Sequence, residues 1–106
     1  MKTMKSTKFT VADYLTIPPG FPAELVQGQL VKTPSPKYGH QRLIIKLIAR
    51  WIPLVGEDRL VPAPIDVYID DHNVLQPDLA VLETPLSPEV ERIGIPILVV
   101  EMVSPS

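Results

Sequence analysis

The spacing of hydrophobic residues along the chain of 106 residues predicts two helices in its first half. Apolar residues recur at helical intervals over residues 38–52, at positions 43, 44, 47, 48 and 51. Pro53 is expected to end this helix, because the residue before a proline is disfavoured in the helical conformation. A shorter helix is predicted over residues 10–16, where Thr10 and Asp13 have the spacing of a capping box.

Runs of β-branched and apolar residues predict the strands. Two short runs on either side of Gln27-Gly28 predict a hairpin with the glycine in its turn. The stretch 59–83 predicts two or three strands, with a turn at 70–73. The last run, IPILVVEMV at 95–103, is apolar on both faces, which is typical of a strand in the middle of a covered sheet. Between them, residues 87–92 predict one further helical turn.

These elements follow one another without an internal repeat and without the composition of a linker between two domains. The length fits a single domain, which we expect over residues 9–106. The lysine-rich start, residues 1–8, is expected to be a flexible tail. The sequence therefore predicts one domain that contains both helices and strands.

Composition narrows the classes of function open to the chain. The net charge of −2 argues against a protein that coats nucleic acid with its whole surface. There is no cysteine, which excludes disulfides, thiolate zinc sites and cysteine nucleophiles. The start has no apolar signal sequence, and no apolar run reaches the ~20 residues of a membrane span. We therefore expect a soluble cytoplasmic protein that does not enter a membrane.

Two carboxylates stand inside apolar, strand-like runs. Asp78 lies in VLQPDLAVLE, and Glu101 lies in ILVVEMVSPS. Burying a charge costs several kcal/mol unless the charge is paired or bound to a metal. Residues two apart on a strand share a face, so the two acids converge if their strands are neighbours. A divalent cation would relieve their repulsion, and oxygen ligands without cysteine favour Mg²⁺ or Mn²⁺ over zinc.

Other interpretations of these and nearby residues stay open. Asp78 alone is more typical of a turn, and Glu101 could form a salt bridge or lie at a sheet edge. A partly buried histidine is a more frequent interpretation of His40 than a site residue. The basic residues of the long helix favour a solvated face over phosphate contact; they are Arg42, Lys46 and Arg50. Asp66 could approach the site.

Four segments resemble a known family in their order and spacing. They are AELVQGQLV, SPKYGHQRLIIKL, QPDLAVL and LVVEMVSPS, and the resemblance covers nearly the whole chain from Phe9 onward. They are similar to the Uma-two family of restriction-endonuclease-like proteins, in the PD-(D/E)XK nuclease superfamily. The resemblance implies an α/β (α+β) fold, with a mixed β-sheet flanked by helices. It also implies a Mg²⁺- or Mn²⁺-dependent endonuclease that hydrolyses DNA.

The resemblance also implies roles for particular residues. Asp78 and Glu101 match the acidic residues of the motif, which would bind the metal ion, with the Met102 backbone carbonyl as a further ligand. Glu24 resembles the early glutamate of the family and would assist catalysis. Two further residues would be accessory to the site: His40, in the HQ pair of the long helix, and Gln76, which precedes the PD pair.

One departure from the motif bears on activity. The motif lysine would stand two residues after Glu101, where this chain has Val103. In relatives with that arrangement the lysine comes from a following helix, and the chain ends at Ser106, before such a helix. We therefore expect a C-terminally truncated domain that does not cut DNA at an appreciable rate. The alternative is a catalytically inactive remnant that binds a partner or itself, and its two-faced apolar strand predicts a homo-oligomer.

Overall fold

The structure is a computed structural model that describes residues 8–18 and 20–103. All but the last residue of the predicted tail, 1–8, falls outside the described ranges. The helices are α1 (Val11–Tyr14) and α2 (Tyr38–Val55), with a short 3-10 helix at Glu57–Arg59. The strands are β1 (Ala23–Val26), β2 (Gln29–Lys32), β3 (Leu60–Pro62), β4 (Asp66–Asp70), β5 (Asn73–Leu75), β6 (Leu79–Val81), β7 (Arg92–Ile93) and β8 (Leu98–Val100).

Helices and strands are mixed, and the strands pair in both directions. β4 runs parallel to β7, whereas β1 and β2, β3 and β6, and β6 and β8 are antiparallel. The predicted fold class, α+β with mixed strand pairing and a helix, is confirmed, and it is consistent with a restriction-endonuclease-like fold. None of the helices in the described ranges combines the length and hydropathy that a membrane-spanning helix needs.

The chain forms two compact units. The first contains Met1–Ser35 and Tyr68–Leu75, and the second contains Pro36–Val67 and Gln76–Ser106. The boundary falls inside β4, whose first two residues belong to the second unit. The expectation of a single domain over 9–106 stays a prediction.

The first unit begins with α1, whose start the sequence predicted. The Thr10 hydroxyl accepts a hydrogen bond from the Asp13 amide, and the Asp13 carboxylate accepts one from the Thr10 amide at 2.8 Å. This capping box satisfies amides that the first turn leaves unpaired. The helix is shorter than the predicted 10–16. It ends at Tyr14, whose buried ring donates its hydroxyl to the Ala23 carbonyl at 3.0 Å.

The predicted hairpin of β1 and β2 turns at Gln27 and Gly28. Both residues have positive φ, 50° and 80°. A two-residue turn with positive φ at both positions matches the right-handed twist of the strands that it joins. Gly28 is also required by space, because a Cβ atom there would lie 2.6 Å from the Lys8 Cβ. Turn chemistry visible in the sequence therefore determines this hairpin.

The core of the first unit lies where β1 meets β5. Leu25 and Val74 are register partners, and both are completely buried. Tyr14 packs with them, and the partly buried Val11, Ile17 and Tyr68 surround the cluster. Apolar contacts therefore join helix α1 and the β1–β2 hairpin to β5.

A tight turn joins β4 to β5, as the sequence predicted for residues 70–73. Asp70 Oδ1 accepts hydrogen bonds from the Asn73 side-chain amide and from the His72 backbone N–H, both at 2.9 Å. These bonds favour the ionised carboxylate, with the Asn73 side chain contributing most, and they hold the pKa of Asp70 below its ordinary value.

The Asp70→Ala substitution should destabilise the protein at neutral pH and lose its effect in acid. A carboxylate whose pKa is depressed by folding stabilises the native state above its unfolded pKa of about 3.9. That stabilisation disappears as the pH falls through the lower, folded pKa. Urea unfolding of both proteins across this range measures the difference. Asp71→Ala is the matched control from the same turn, and an equal, pH-independent loss in both variants would contradict the prediction.

The second unit is organised around β6. This strand lies between β3 and β8, antiparallel to both, and all three of its residues are buried. Ala80 belongs to a core cluster that also contains Val67 of β4, Ile93 of β7 and Leu82. The strand that follows Asp78 is therefore the most enclosed element of this unit.

Helix α2 passes through Pro53 to Val55, so the prediction that it ends near residue 52 is wrong. Pro53 lies in the last turn, where its missing N–H removes a single intrahelical bond. The helix ends at Gly56, whose φ of 87° is unfavourable for other residues and whose N–H still reaches the Ile52 carbonyl at 2.8 Å. Ile44 is the buried residue of α2. The basic residues of the helix are exposed, as the interpretation of a solvated face requires; they are Arg42, Lys46 and Arg50.

The predicted helical turn at 87–92 is wrong as well. The chain forms a turn there, closed by a bond from the Val90 N–H to the Ser87 carbonyl at 3.1 Å. β7 begins at Arg92, where Asp66 of β4 is its register partner. A single helical turn has a high nucleation cost, and pairing with β4 requires extended backbone, so the strand pairing wins.

Candidate functional site

Asp78 lies at a break in what the sequence predicted as one strand. Pro77 is completely buried and has no N–H to donate, so the run VLQPDLAVL divides into β5, which ends at Leu75, and β6, which begins at Leu79. The prediction that Gln76, Asp78 and Ala80 share the face of a continuous strand is therefore wrong. Asp78 is instead the residue that leads into the buried β6.

The main chain of Asp78 is held from the β3 side of the sheet. Its carbonyl accepts a hydrogen bond from the Ala63 N–H at 3.1 Å, one step beyond the register pair of Pro62 and Leu79. Because β6 is buried between two strands, the backbone that carries the carboxylate has little freedom to move. This is the rigid support that a binding site needs.

The Asp78 carboxylate has two polar contacts on one oxygen, a hydrogen bond from a backbone N–H and a close contact with an imidazole nitrogen. Asp78 Oδ2 lies 2.5 Å from the Met102 backbone nitrogen and 3.2 Å from His40 Nε2. The side chains of Asp78 and His40 are 20 % and 15 % exposed, so both contacts are shielded from water. Three segments far apart in the sequence thus meet at this oxygen.

His40 reaches this site from the first turn of α2. It lies four residues before the buried Ile44, on the same helical face, which explains its partial burial. The sequence indicated the burial but not the contact with Asp78. His40 Nδ1 is buried, and no hydrogen-bond partner for it lies within the described ranges.

Glu101 follows β8, and the β6–β8 pairing determines where it lies relative to Asp78. Leu79 pairs with Val100, and Asp78 and Glu101 are the residues that directly adjoin this last register pair. The two strands are neighbours, as convergence of the two acids requires.

The environment of Glu101 differs from the predicted one. The predicted strand at 95–103 is instead the three-residue β8, at the edge of the order β3-β6-β8, and Glu101 is exposed. The position of β8 agrees with the interpretation that placed Glu101 at a sheet edge. An exposed carboxylate carries no large desolvation cost, so its presence needs no buried partner.

The other predicted site residues lie elsewhere in the two units. Gln76 donates its side-chain amide to Asp66 Oδ1 at 2.9 Å, a contact that sequence reasoning missed. The resemblance of the QPD segment to the family assigned Gln76 to the site, and that assignment stays a prediction. Glu24 belongs to β1 of the first unit, where Val31 is its register partner. Its assignment to the site stays a prediction.

The donor set of this site suits a hard divalent cation. The described residues contain no group of three or more His, Asp or Glu side chains placed to hold a metal ion. Mg²⁺ does not require such a group, because proteins usually bind it through one or two carboxylates together with water and substrate phosphate. Asp78 and Glu101 supply two carboxylates that adjoin the register pair of Leu79 and Val100, and both are accessible to solvent to some degree. Oxygen ligands of this kind suit a hard divalent cation in general.

The chain is an α+β protein, and its fold is consistent with a restriction-endonuclease-like fold. The Uma-two family model (Uma2), described as "Putative restriction endonuclease", matches residues 11–106. The chain belongs to this family, as its sequence segments predicted. Restriction-endonuclease-like families use divalent metal ions in general. A search of curated proteins finds no match to the chain.

Proposed function

We propose that the chain is a metal-dependent DNA endonuclease of the PD-(D/E)XK type, which hydrolyses phosphodiester bonds. Asp78 and Glu101 would hold Mg²⁺ or Mn²⁺, with the Met102 carbonyl as a further ligand. The observation that supports this most is the β6–β8 pairing, because Asp78 and Glu101 adjoin its register pair of Leu79 and Val100. In the same proposal Glu24 assists, and His40 and Gln76 are accessory.

The chemistry of the proposed site depends on how the protein presents its carboxylates. A bound divalent ion lowers the pKa of a coordinated water molecule and polarises a phosphate oxygen. Asp78 is held rigidly and is largely buried, whereas Glu101 is exposed at the end of the edge strand. A phosphate group could therefore approach from the Glu101 side, which is the open side of the pair.

DNA is the substrate that the family description supports. Two of the basic residues of α2 are not the natural contact for its scissile phosphate. At 3.6 residues per turn, Arg42 and Lys46 lie on the side of the helix opposite Ile44, whereas Arg50 lies about 80° around the helix from His40. His40 faces Asp78, so Arg42 and Lys46 are directed away from the proposed site.

Replacing Asp78 with asparagine should abolish divalent-ion binding. Asparagine keeps an oxygen that can accept the Met102 N–H but removes the charge that a metal ion needs. Removing an outer-shell partner of a metal typically weakens binding 10–100-fold, and removing a ligand should cost at least as much. Calorimetric titration with Mn²⁺ measures the affinity of each protein. Equal binding by the native chain and Asp78→Asn would exclude Asp78 as a ligand.

Asp58→Asn is the matched control, because it removes an exposed carboxylate of the same unit, in the 3-10 helix at Glu57–Arg59. Mn²⁺ affinity should be the same in this variant as in the native chain. The same proteins, incubated with supercoiled plasmid and Mg²⁺ or Mn²⁺, test the reaction itself. Because the chain lacks the motif lysine, the native chain should not nick the plasmid at an appreciable rate. Nicking by the native chain that is lost in Asp78→Asn would mean that another basic group completes the site.

A non-catalytic binding or self-associating module is the second candidate, and one observation favours it. The last strand and its flanks expose apolar side chains; they are Ile95, Ile97, Leu98, Val99 and Val103. An edge strand of this kind can pair with another chain. The predicted homo-oligomer would cover it. Concentration-dependent association in light scattering, with no metal binding and no nicking, would favour this function over the nuclease.

A further inference from the structure

Both polar contacts of the Asp78 side chain converge on Oδ2: one is the hydrogen bond from the Met102 N–H, and the other is the 3.2 Å contact with His40 Nε2. The Met102 N–H approaches from the end of β8, and His40 Nε2 approaches from α2. Neither donor lies on the strand that carries Asp78. A carboxylate with two donors on one oxygen cannot rotate freely about its last bond, so its other oxygen is held in one direction.

The surroundings of the imidazole indicate which nitrogen carries its proton. His40 Nε2 faces a carboxylate oxygen, which can only accept when ionised, so Nε2 must be the donor. Nδ1 is buried without a hydrogen-bond partner among the described residues. A buried N–H without an acceptor is unfavourable, so Nδ1 is better placed as a bare nitrogen. The geometry therefore selects the neutral Nε2–H tautomer.

We propose that His40 is a positioning residue for Asp78. Its Nε2–H, together with the Met102 N–H, holds Oδ2 so that Oδ1 is the oxygen presented to the divalent cation. This inference rests on the proposed function, because it assigns the way in which one carboxylate of that site is oriented. It also separates His40 from the roles of metal ligand and general base.

His40 cannot act as a metal ligand or as a general base, because neither of its ring nitrogens is accessible. Nε2 is directed at Asp78 Oδ2, and Nδ1 is buried, so neither nitrogen has a lone pair that can reach a cation or a water molecule at the site. The positioning role requires only the donor that the structure shows. Ligating carboxylates are commonly held by such outer-shell hydrogen bonds, and losing one weakens metal binding by roughly 10–100-fold.

Two amide substitutions at residue 40 test the role. In His40→Gln the amide nitrogen stands where Nε2 stood and can still donate to Asp78. In His40→Asn the shorter side chain places its amide at the level of Nδ1 and cannot reach. Mn²⁺ affinity measured by calorimetry should be close to native in His40→Gln and about 10–100-fold weaker in His40→Asn. Thermal unfolding of both variants shows whether each is folded.

A second measurement needs neither metal nor activity. Imidazole ¹⁵N and ¹³C shifts of the native chain at about pH 8, above the ordinary pKa of histidine, should show the Nε2–H form of His40. The signal should move in Asp78→Asn. His72→Gln identifies it, because the chain has two histidines. A predominant Nδ1–H form would overturn the proposal even if His40→Asn does not fold.

The outcomes distinguish this role from the proposed function. Equal Mn²⁺ affinity in the native chain, His40→Gln and His40→Asn would overturn the positioning role and leave the metal site intact. Absence of Mn²⁺ binding by the native chain would overturn both. Weak binding by His40→Asn, near-native binding by His40→Gln and the Nε2–H tautomer together support it.

Discussion

The Val103→Lys variant nicks supercoiled DNA faster than the native chain, by on the order of 10²–10³-fold, in the presence of Mg²⁺ or Mn²⁺. The PD-(D/E)XK motif has its lysine two residues after the second acid, and this chain has Val103 there. Residues two apart on an extended backbone share a face, so a lysine at 103 projects to the same side as Glu101. There its charge stabilises the negative charge that develops on phosphorus oxygens during hydrolysis.

The environment of Val103 makes this substitution a clean test. Its side chain is 92 % exposed, so the change removes almost no packing. Val103→Gln is the matched control, with a polar side chain of similar reach and no charge. The rate is measured from the conversion of supercoiled plasmid to nicked circles on a gel. Adding Glu101→Gln to Val103→Lys should remove the gain.

Two results would contradict this prediction. Equal nicking by Val103→Lys and Val103→Gln would show that charge at this position does not matter. Nicking that persists when Glu101→Gln is combined with Val103→Lys, or when the divalent ion is chelated, would show that the reaction does not use the proposed acids. Either result would favour the non-catalytic module.

The Leu79→Ala variant loses about 2–5 kcal/mol of the free energy of unfolding. Leu79 is completely buried in β6, with Pro62 and Val100 as its register partners on either side. Truncation removes apolar contacts and leaves a cavity between strands that cannot close around it. A domain of this size has only about 5–15 kcal/mol in total, so the unfolded fraction rises by ~30-fold or more.

Leu98→Ala is the matched control for this loss. It makes the same chemical change in β8, where Leu98 is half exposed and is the register partner of Val81. Its cost should be clearly smaller, because surface substitutions usually change stability by about 0.5 kcal/mol or less. Urea unfolding of both variants gives the comparison. Equal losses would show that β6 is not the centre of this unit.

The sequence alone predicted those elements that are determined by residues only a few positions apart. The capping box of Thr10 and Asp13 marks the beginning of α1, and Gln27 and Gly28 form the turn of the first hairpin. The family segments also predicted the fold class and the membership that the match over residues 11–106 shows. In each case the residues that decide the outcome stand together in the chain, so no distant contact can override them.

Burial and strand position were decided by the tertiary structure. The run that ends in Glu101 looked like a buried central strand, yet β8 is a short edge strand, because an apolar pattern does not say which neighbour will cover it. Likewise α2 continues through Pro53, because one missing hydrogen bond near a helix end costs less than a break in its interior.

The candidate site shows the same division. The sequence singled out Asp78 and Glu101 as unusual acids, but it could not join them, because their placement beside one register pair depends on the pairing of β6 with β8. It also could not show that His40 and the Met102 N–H share one oxygen of Asp78. Residue type and spacing determine which groups are available, whereas contacts between residues far apart in the chain determine which of them meet.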